Sequence, residues 1–166
     1  LAFHVTALTL GDKDFGKARN AALSQVPADY DYIIWLDADD VLHHGENIRQ
    51  EAESAKANNI GSVFAKYLYQ VETSDSVMCE CGLHGAITKV YIEHLRERLI
   101  RNDESYKWIG ELHETFIEQP ATNKIDTKSF SVVHLTTPQD IANAVHRNKE
   151  ILEKKEKEAE KKEPEK

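Results

Sequence analysis

The chain has 166 residues, 40% of them hydrophobic and 8% aromatic, the profile of one globular domain with a sizeable core. Its net charge of -8 at pH 7 excludes a dedicated nucleic-acid binder, which would turn a basic face to phosphates, but not a nucleotide whose charge is met by a metal ion or a local Arg/Lys group. No apolar run approaches the roughly 20 residues that cross a bilayer, so no transmembrane segment is expected, and the opening LAFHVTALTL has neither a basic leader nor a small-residue cleavage site.

The chain starts without an initiator Met and inside a predicted strand over 3–9, so it is expected to be a fragment. Gly11 to Asp14 read as a turn, with Asp14 capping a helix over 15–26 that places Phe15, Ala18, Ala22 and Val26 on one face. Pro27 ends that helix. The run YDYIIWLD predicts a buried central strand over 30–37, closing on Asp37, Ala38, Asp39 and Asp40. A second helix is predicted over 46–58 and is stopped by Asn58 to Gly61.

A strand over 62–72 follows, then extended structure over 76–92 broken near Gly82 and Gly85, then a short strand over 97–101 and a turn at Asn102 and Asp103. Trp108 to Glu114 lead into Thr115 and Phe116, and a last strand is predicted over 128–135. A long helix starts at Pro138 with Thr137 as N-cap. Its end, EKKEKEAEKKEPEK, carries no apolar stripe after about Leu152 and reads as solvated and fraying. This order predicts an α/β domain, βαβ-like with a parallel strand in its first half and antiparallel in its second.

Cys79 and Cys81 are the only cysteines; a C-x-C pair lacks the second pair that a structural zinc site needs. Two reduced thiols are expected, and with them a cytoplasmic location.

WLDADD at 35–40 ends an apolar strand in three carboxylates. Alternation along a strand sends Asp37 and Asp39 to the same side, and the carboxyl ends of strands form the ligand crevice of an open α/β sheet. Close carboxylates repel, and a divalent cation with a taste for oxygen ligands, Mn²⁺ or Mg²⁺, removes the penalty. The alternative is a set of solvated acids ahead of the second helix.

His134, at the end of SFSVVHL, is placed to offer a neutral imidazole to a metal, or else is a hydrogen-bonded structural residue. In Trp108-Ile109-Gly110-Glu111-Leu112-His113-Glu114 a carboxylate is placed to act as general base, and Gly110 to admit a ligand close to the backbone; a favourable helix-dipole partner is the other reading of the glutamate. Arg19, Arg98 and Arg101 are candidates to meet diphosphate oxygens, with surface solvation the default for each.

The stretch Asp14-Phe15-Gly16-Lys17-Ala18-Arg19-Asn20-Ala21-Ala22-Leu23 followed by Trp35-Leu36-Asp37-Ala38-Asp39-Asp40 resembles the "DFxxARNxAL…WxLDADE" pattern of bacterial family 2 glycosyltransferases. Arg98-Leu99-Ile100-Arg101-Asn102 and Tyr106 to Glu114 resemble that group's "RLFRN…YxWxGxxHE", and Val133-His134 before a long helix is similar to its closing segment. The resemblance spans about residues 12–155.

It implies a GT-A-like mixed sheet flanked by helices, with a catalytic domain over 1–136 and a C-terminal helix and charged tail over 137–166. It further implies metal-dependent, inverting transfer of a hexose from a nucleotide-sugar donor, commonly a UDP-sugar, with Mn²⁺ or Mg²⁺. The acceptor, whether glycan, lipid or protein, is left open. By position, Asp39 and His134 would ligate the metal, and Asp37 would face the donor ribose or a metal-bound water. Arg19, Asn20 and Arg101 would line the donor side, and Glu114 would be the catalytic carboxylate with His113 as the alternative.

The resemblance also implies a base-gripping βαβ segment ahead of Leu1. Two other readings stay open: a metal-dependent hydrolase using the same Asp/His cluster, and a non-catalytic domain of GT-A type that binds a partner through its charged helix.

Overall fold

The computed structural model describes residues 14–79, 82–103, 106–110, 115–118, 123–135 and 138–160. The predicted strand over 3–9, the N-cap Thr137, Cys81, His113 and Glu114 lie outside the described residues. The described chain forms two compact units, one holding the mixed sheet and one helix, the other holding two helices and a small strand pair.

The sheet unit contains β1 (Tyr32–Ile34), β2 (Asp40–His43), β3 (Ile60–Cys79), β4 (Gly82–Arg101) and a later strand, β7 (Asn123–His134). Their order is β1-β4-β2-β7-β3, with β3 also paired to β4. β3 and β4 form a long antiparallel hairpin, β2 runs antiparallel to β7, and β7 runs parallel to β3. The strands expected over 62–72, 76–92 and 97–101 are therefore the two arms of one hairpin, and the break foreseen near Gly85 does not interrupt β4.

β1 departs from expectation. It stops at Ile34, it is only partly buried, and among the described residues it is an edge strand pairing antiparallel with β4. The chain leaves the sheet at Trp35, turns at Ala38 and Asp39, and re-enters as β2 at Asp40. A turn forms because the Asp40 backbone N–H donates to the Asp37 carbonyl at 3.0 Å, while the Asp40 carboxylate takes the Asp37 N–H at 3.0 Å.

α2 (Ile48–Ala57) lays Ile48, Ala52 and Ala55 on one sheet face, against Val63, Ala65, Leu99 and Phe130. Leu68, Leu83 and Val133 make a separate apolar cluster. Side chains alternate along a strand, so Val63, Ala65, Tyr67 and Tyr69 share a face of β3, as Phe130, Val132 and His134 share one of β7. The face that α2 covers at the start of β3 thus becomes polar and aromatic further along, where Tyr69 lies opposite His134.

The other unit contains α1 (Phe15–Leu23), β5 (Tyr106–Ile109), β6 (Thr115–Glu118) and α3 (Pro138–Glu160). Asp14 caps α1 as predicted, accepting from the Lys17 N–H at 2.9 Å. Asn20 clamps β5: its amide accepts from the Trp108 N–H at 2.9 Å and donates to the Trp108 carbonyl at 2.7 Å. Gly16 faces the Gly110 backbone so closely that a Cβ there would run into the Gly110 carbonyl oxygen. α3 stays helical to Glu160 among the described residues, with Ile151 buried and His146–Glu150 and Lys149–Glu153 pairs along its surface. No described helix is long and apolar enough to cross a membrane.

Candidate functional site

The turn after β1 and the ends of β2 and β7 meet at one polar cluster. Asp40 lies opposite His134 in the β2–β7 register, and the Leu135 N–H donates to the Asp39 carbonyl at 2.8 Å, which ties the two strand ends together. Asp39, Asp40 and His134 each bring a potential ligand atom within 4.8 Å of the others. The Asp39 side chain is 51% exposed, His134 18% and Asp40 0%.

Asp40 is the hub. Its Oδ1 accepts from the Tyr67 hydroxyl at 2.7 Å and faces His134 Nδ1 at 2.9 Å. Its Oδ2 accepts from the Asp37 N–H at 3.0 Å and from Arg98 Nη1 at 3.1 Å. The guanidinium of Arg98 is buried between the rings of Trp35 and Tyr67, with its carbon 4.0 Å from each ring centroid. A β-bulge puts it there. The β3–β4 register passes from Val63↔Leu99 to Phe64↔Glu97, so Arg98 has no opposite residue on β3. Arg98 is therefore not the free diphosphate ligand that the sequence admitted; it is the internal counter-ion of Asp40.

The electrostatics follow from this wiring. Burial by itself would raise the Asp40 carboxyl, but its hydrogen bond with His134, the charge of Arg98 and the hydrogen bonds from Tyr67 and the Asp37 N–H outweigh burial and hold it below the usual carboxylate range. The hydrogen bond to Asp40 raises His134 above an ordinary histidine against the opposing effect of burial, and the charges of Asp39, Asp40 and Asp37 add to it. Burial, reinforced by the bond to Asp40, pushes the Tyr67 phenol far up, so it stays a neutral donor. Tyr69 packs edge-on against Tyr67 and His134, with ring centroids 4.5 and 5.2 Å apart, and walls the imidazole on the β3 side.

Of the residues singled out in the sequence, Asp37, Asp39 and His134 come together here, though through a turn and not through strand alternation. Arg101 does not join them. It pairs with Tyr32 at the start of β1 and donates to the Asn59 side chain at 2.8 Å and the Ile60 carbonyl at 3.2 Å. Arg19 and Asn20 belong to the other unit, where Asn20 holds Trp108. His113 and Glu114 come after β5 in the chain and lie outside the described residues.

The profile of Glycosyl transferase family 2 matches residues 3–116, more than half of the chain. The chain belongs to glycosyltransferase family 2. The mixed α/β sheet with its C-terminal helix is of the GT-A type, as expected for this family, and the domain is that of a sugar-transferring enzyme. Among curated proteins, none matches the chain. In this glycosyltransferase the Asp37–Asp40 turn falls inside the matched stretch, whereas His134 lies beyond it and reaches the cluster through β7.

Sequence reasoning gave Tyr67 no role, counted Asp40 among the acids without assigning it one, and took Arg98 as a candidate for diphosphate oxygens and not as the partner of Asp40. Asp40 had a signal: an Asp three residues after another Asp is the pattern of a side-chain-stabilised turn. Tyr67 and Arg98 had none, because one is an aromatic in a strand and the other is aimed by a bulge.

The donor set suits a divalent cation. A solvent-facing carboxylate beside an imidazole offers one hard oxygen donor and one nitrogen donor, and the buried network keeps the imidazole from turning away.

Proposed function

We propose that this family 2 enzyme transfers a hexose from a nucleotide-sugar donor, a UDP-sugar, to an acceptor hydroxyl, and that it depends on a divalent metal held by Asp39 and His134. The observation that carries the reading is the Asp39–Asp40–His134 cluster where β2 begins and β7 ends, in a chain of this family. The imidazole favours Mn²⁺ over Mg²⁺, which prefers an all-oxygen shell. When bound, the metal would neutralise the departing nucleoside diphosphate as a Lewis acid.

The chain's own residues supply the rest. Asp37, in the first position of the turn, faces the donor ribose or a metal-bound water. The catalytic carboxylate is Glu114, with His113 as the alternative; it takes the proton of the acceptor hydroxyl so that the oxygen attacks the anomeric carbon in line, with inversion. Trp108, clamped by Asn20, precedes both residues in the chain. Of the arginines first considered, Arg19 is kept for the donor, whereas Arg101 is engaged at the start of β1.

Calorimetry with UDP, with and without Mn²⁺, on the chain and on Asp39→Ala tests the donor site. Metal-dependent binding that disappears in the variant is expected. Binding that ignores Mn²⁺ overturns the metal reading, and breakdown of a UDP-sugar at the same rate whether or not an acceptor is present turns the assignment toward a hydrolase.

A further inference from the structure

Three acidic or imidazole groups stand in the cluster, but they are not equivalent. We propose that Asp40 is not a metal ligand but the positioning residue of the site: it fixes the His134 ring so that Nε2 is left as the nitrogen with a lone pair to give, alongside the Asp39 carboxylate. This rests on the metal reading given under Proposed function and goes beyond it in saying which atoms are available.

A carboxylate has about four lone-pair positions, and Asp40 uses four: Tyr67 hydroxyl and His134 Nδ1 on one oxygen, Asp37 N–H and Arg98 Nη1 on the other. Its side chain is 0% exposed. Ligating an ion would break a buried hydrogen bond and pull the carboxylate away from a guanidinium that is itself 1% exposed. Among the described residues Asp39, at 51% exposure, carries no such ties through its carboxylate other than the 3.5 Å approach to His134 Nδ1.

The tautomer follows from the same contacts. His134 Nδ1 sits 2.9 Å from the Asp40 carboxylate, which only accepts, and 2.9 Å from the Tyr67 oxygen, whose hydrogen already points to Asp40. Both neighbours ask Nδ1 for a hydrogen, as does the Asp39 carboxylate at 3.5 Å, so Nδ1 bears it. The strand register makes the arrangement rigid: His134 is flanked by Asp40 across β2 and Tyr69 across β3. A metal-binding histidine held by a carboxylate through its other nitrogen is a general device for setting ring orientation and basicity.

Two measurements on the full chain test this. Long-range ¹⁵N–¹H NMR of the metal-free protein, with His134 assigned through His134→Gln, reads the tautomer directly. An Nδ1–H ring is expected, and an Nε2–H ring overturns the proposal. Mn²⁺ affinity by EPR titration is then compared across wild type, Asp40→Asn and Tyr67→Phe. Loss of the carboxylate is expected to weaken Mn²⁺ by roughly 10–100-fold, with the His134 tautomer no longer fixed.

Tyr67→Phe keeps the ring on Arg98 and removes only the hydroxyl. It is expected to weaken Mn²⁺ toward the lower end of that range, and it decides the matter if Asp40→Asn does not fold. Unchanged affinity in the folded variant overturns the proposal. A wild type with the Nδ1–H ring that takes up no Mn²⁺ overturns the metal reading and the positioning role with it, whereas Mn²⁺ bound to an Nε2–H ring overturns the positioning role alone.

Discussion

Asp40 and His134 face each other across β2 and β7 and meet at 2.9 Å, and the same carboxylate is held from its other oxygen by Arg98 at 3.1 Å. Arg98, Asp40 and His134 form a connected line of polar contacts that runs from the buried guanidinium to the exposed Asp39. Its inner members serve stability and its outer members are free for chemistry, which makes the two separable by mutation.

Asp40→Ala is expected to be strongly destabilising, because it strands the Arg98 guanidinium without a counter-charge. Removing one partner of a buried pair costs about 3–5 kcal/mol. Urea denaturation followed by circular dichroism measures it, and adding Arg98→Met in the same chain is expected to recover part of the loss. A single Asp40→Ala variant within about 0.5 kcal/mol of wild type would show that this line of contacts does not hold the fold.

Asp39→Ala should behave in the opposite way. Its side chain is half exposed, so stability is expected to change by no more than about 0.5 kcal/mol, while Mn²⁺-dependent UDP binding is lost. Thermal denaturation and calorimetry on the same preparation separate the two effects. A variant that keeps full metal-dependent binding removes Asp39 from the ligand set.

The pH dependence has a defined sign. His134 is raised above the ordinary histidine value of 6.5 by its hydrogen bond to Asp40, so its contribution to the metal-free fold is complete below 6.5 and is lost as pH rises through the higher folded value. Asp40 is lowered below 3.8, so its contribution is present above 3.8 and is lost as pH falls through the lower folded value. The pair therefore stabilises most between these limits. Mn²⁺ affinity runs the other way on the alkaline side, since an imidazole must shed a proton to ligate. Above pH 6.5 the metal-free protein should lose stability relative to His134→Gln while its Mn²⁺ affinity climbs; parallel denaturation and titration series check both slopes, and a wild-type minus variant difference that stays flat would contradict the pairing.

Asn20→Ala should loosen β5. The substitution leaves the N–H and carbonyl of Trp108, a residue only 3% exposed, without their side-chain partner, at about 1–3 kcal/mol. Gly16→Ala attacks the same junction sterically, since its Cβ meets the Gly110 carbonyl oxygen, at a similar about 1–3 kcal/mol. Trp fluorescence during denaturant unfolding reads both, and a neutral Gly16→Ala would mean that the α1–β5 approach is looser than described.

The family and its acidic cluster were legible in the sequence because they are local. An apolar run ending in Asp37, Asp39 and Asp40, an N-capping Asp14 and a Pro at the start of α3 each depend on residues within one or two turns of chain. What lay beyond reach was pairing between distant strands. The sequence read residues 35–37 as continuing a strand, since Trp35 and Leu36 are good strand formers; in the fold, the chain has left the sheet by Trp35 and hydrogen bonds between Asp37 and Asp40 turn it.

The role of Asp40 depends on a β2–β7 register that joins residues 94 apart, and that of Arg98 on a one-residue bulge against β3. Neither leaves a periodic trace in composition, because a bulge is a local exception to alternation and a register is a relation between two segments. The sequence by itself determined which chemistry-bearing residues exist and that one of them, His134, ends a strand. Only the tertiary structure decided which carboxylate is buried as an anchor and which is left in water, since burial depends on what the neighbouring strands place around each side chain.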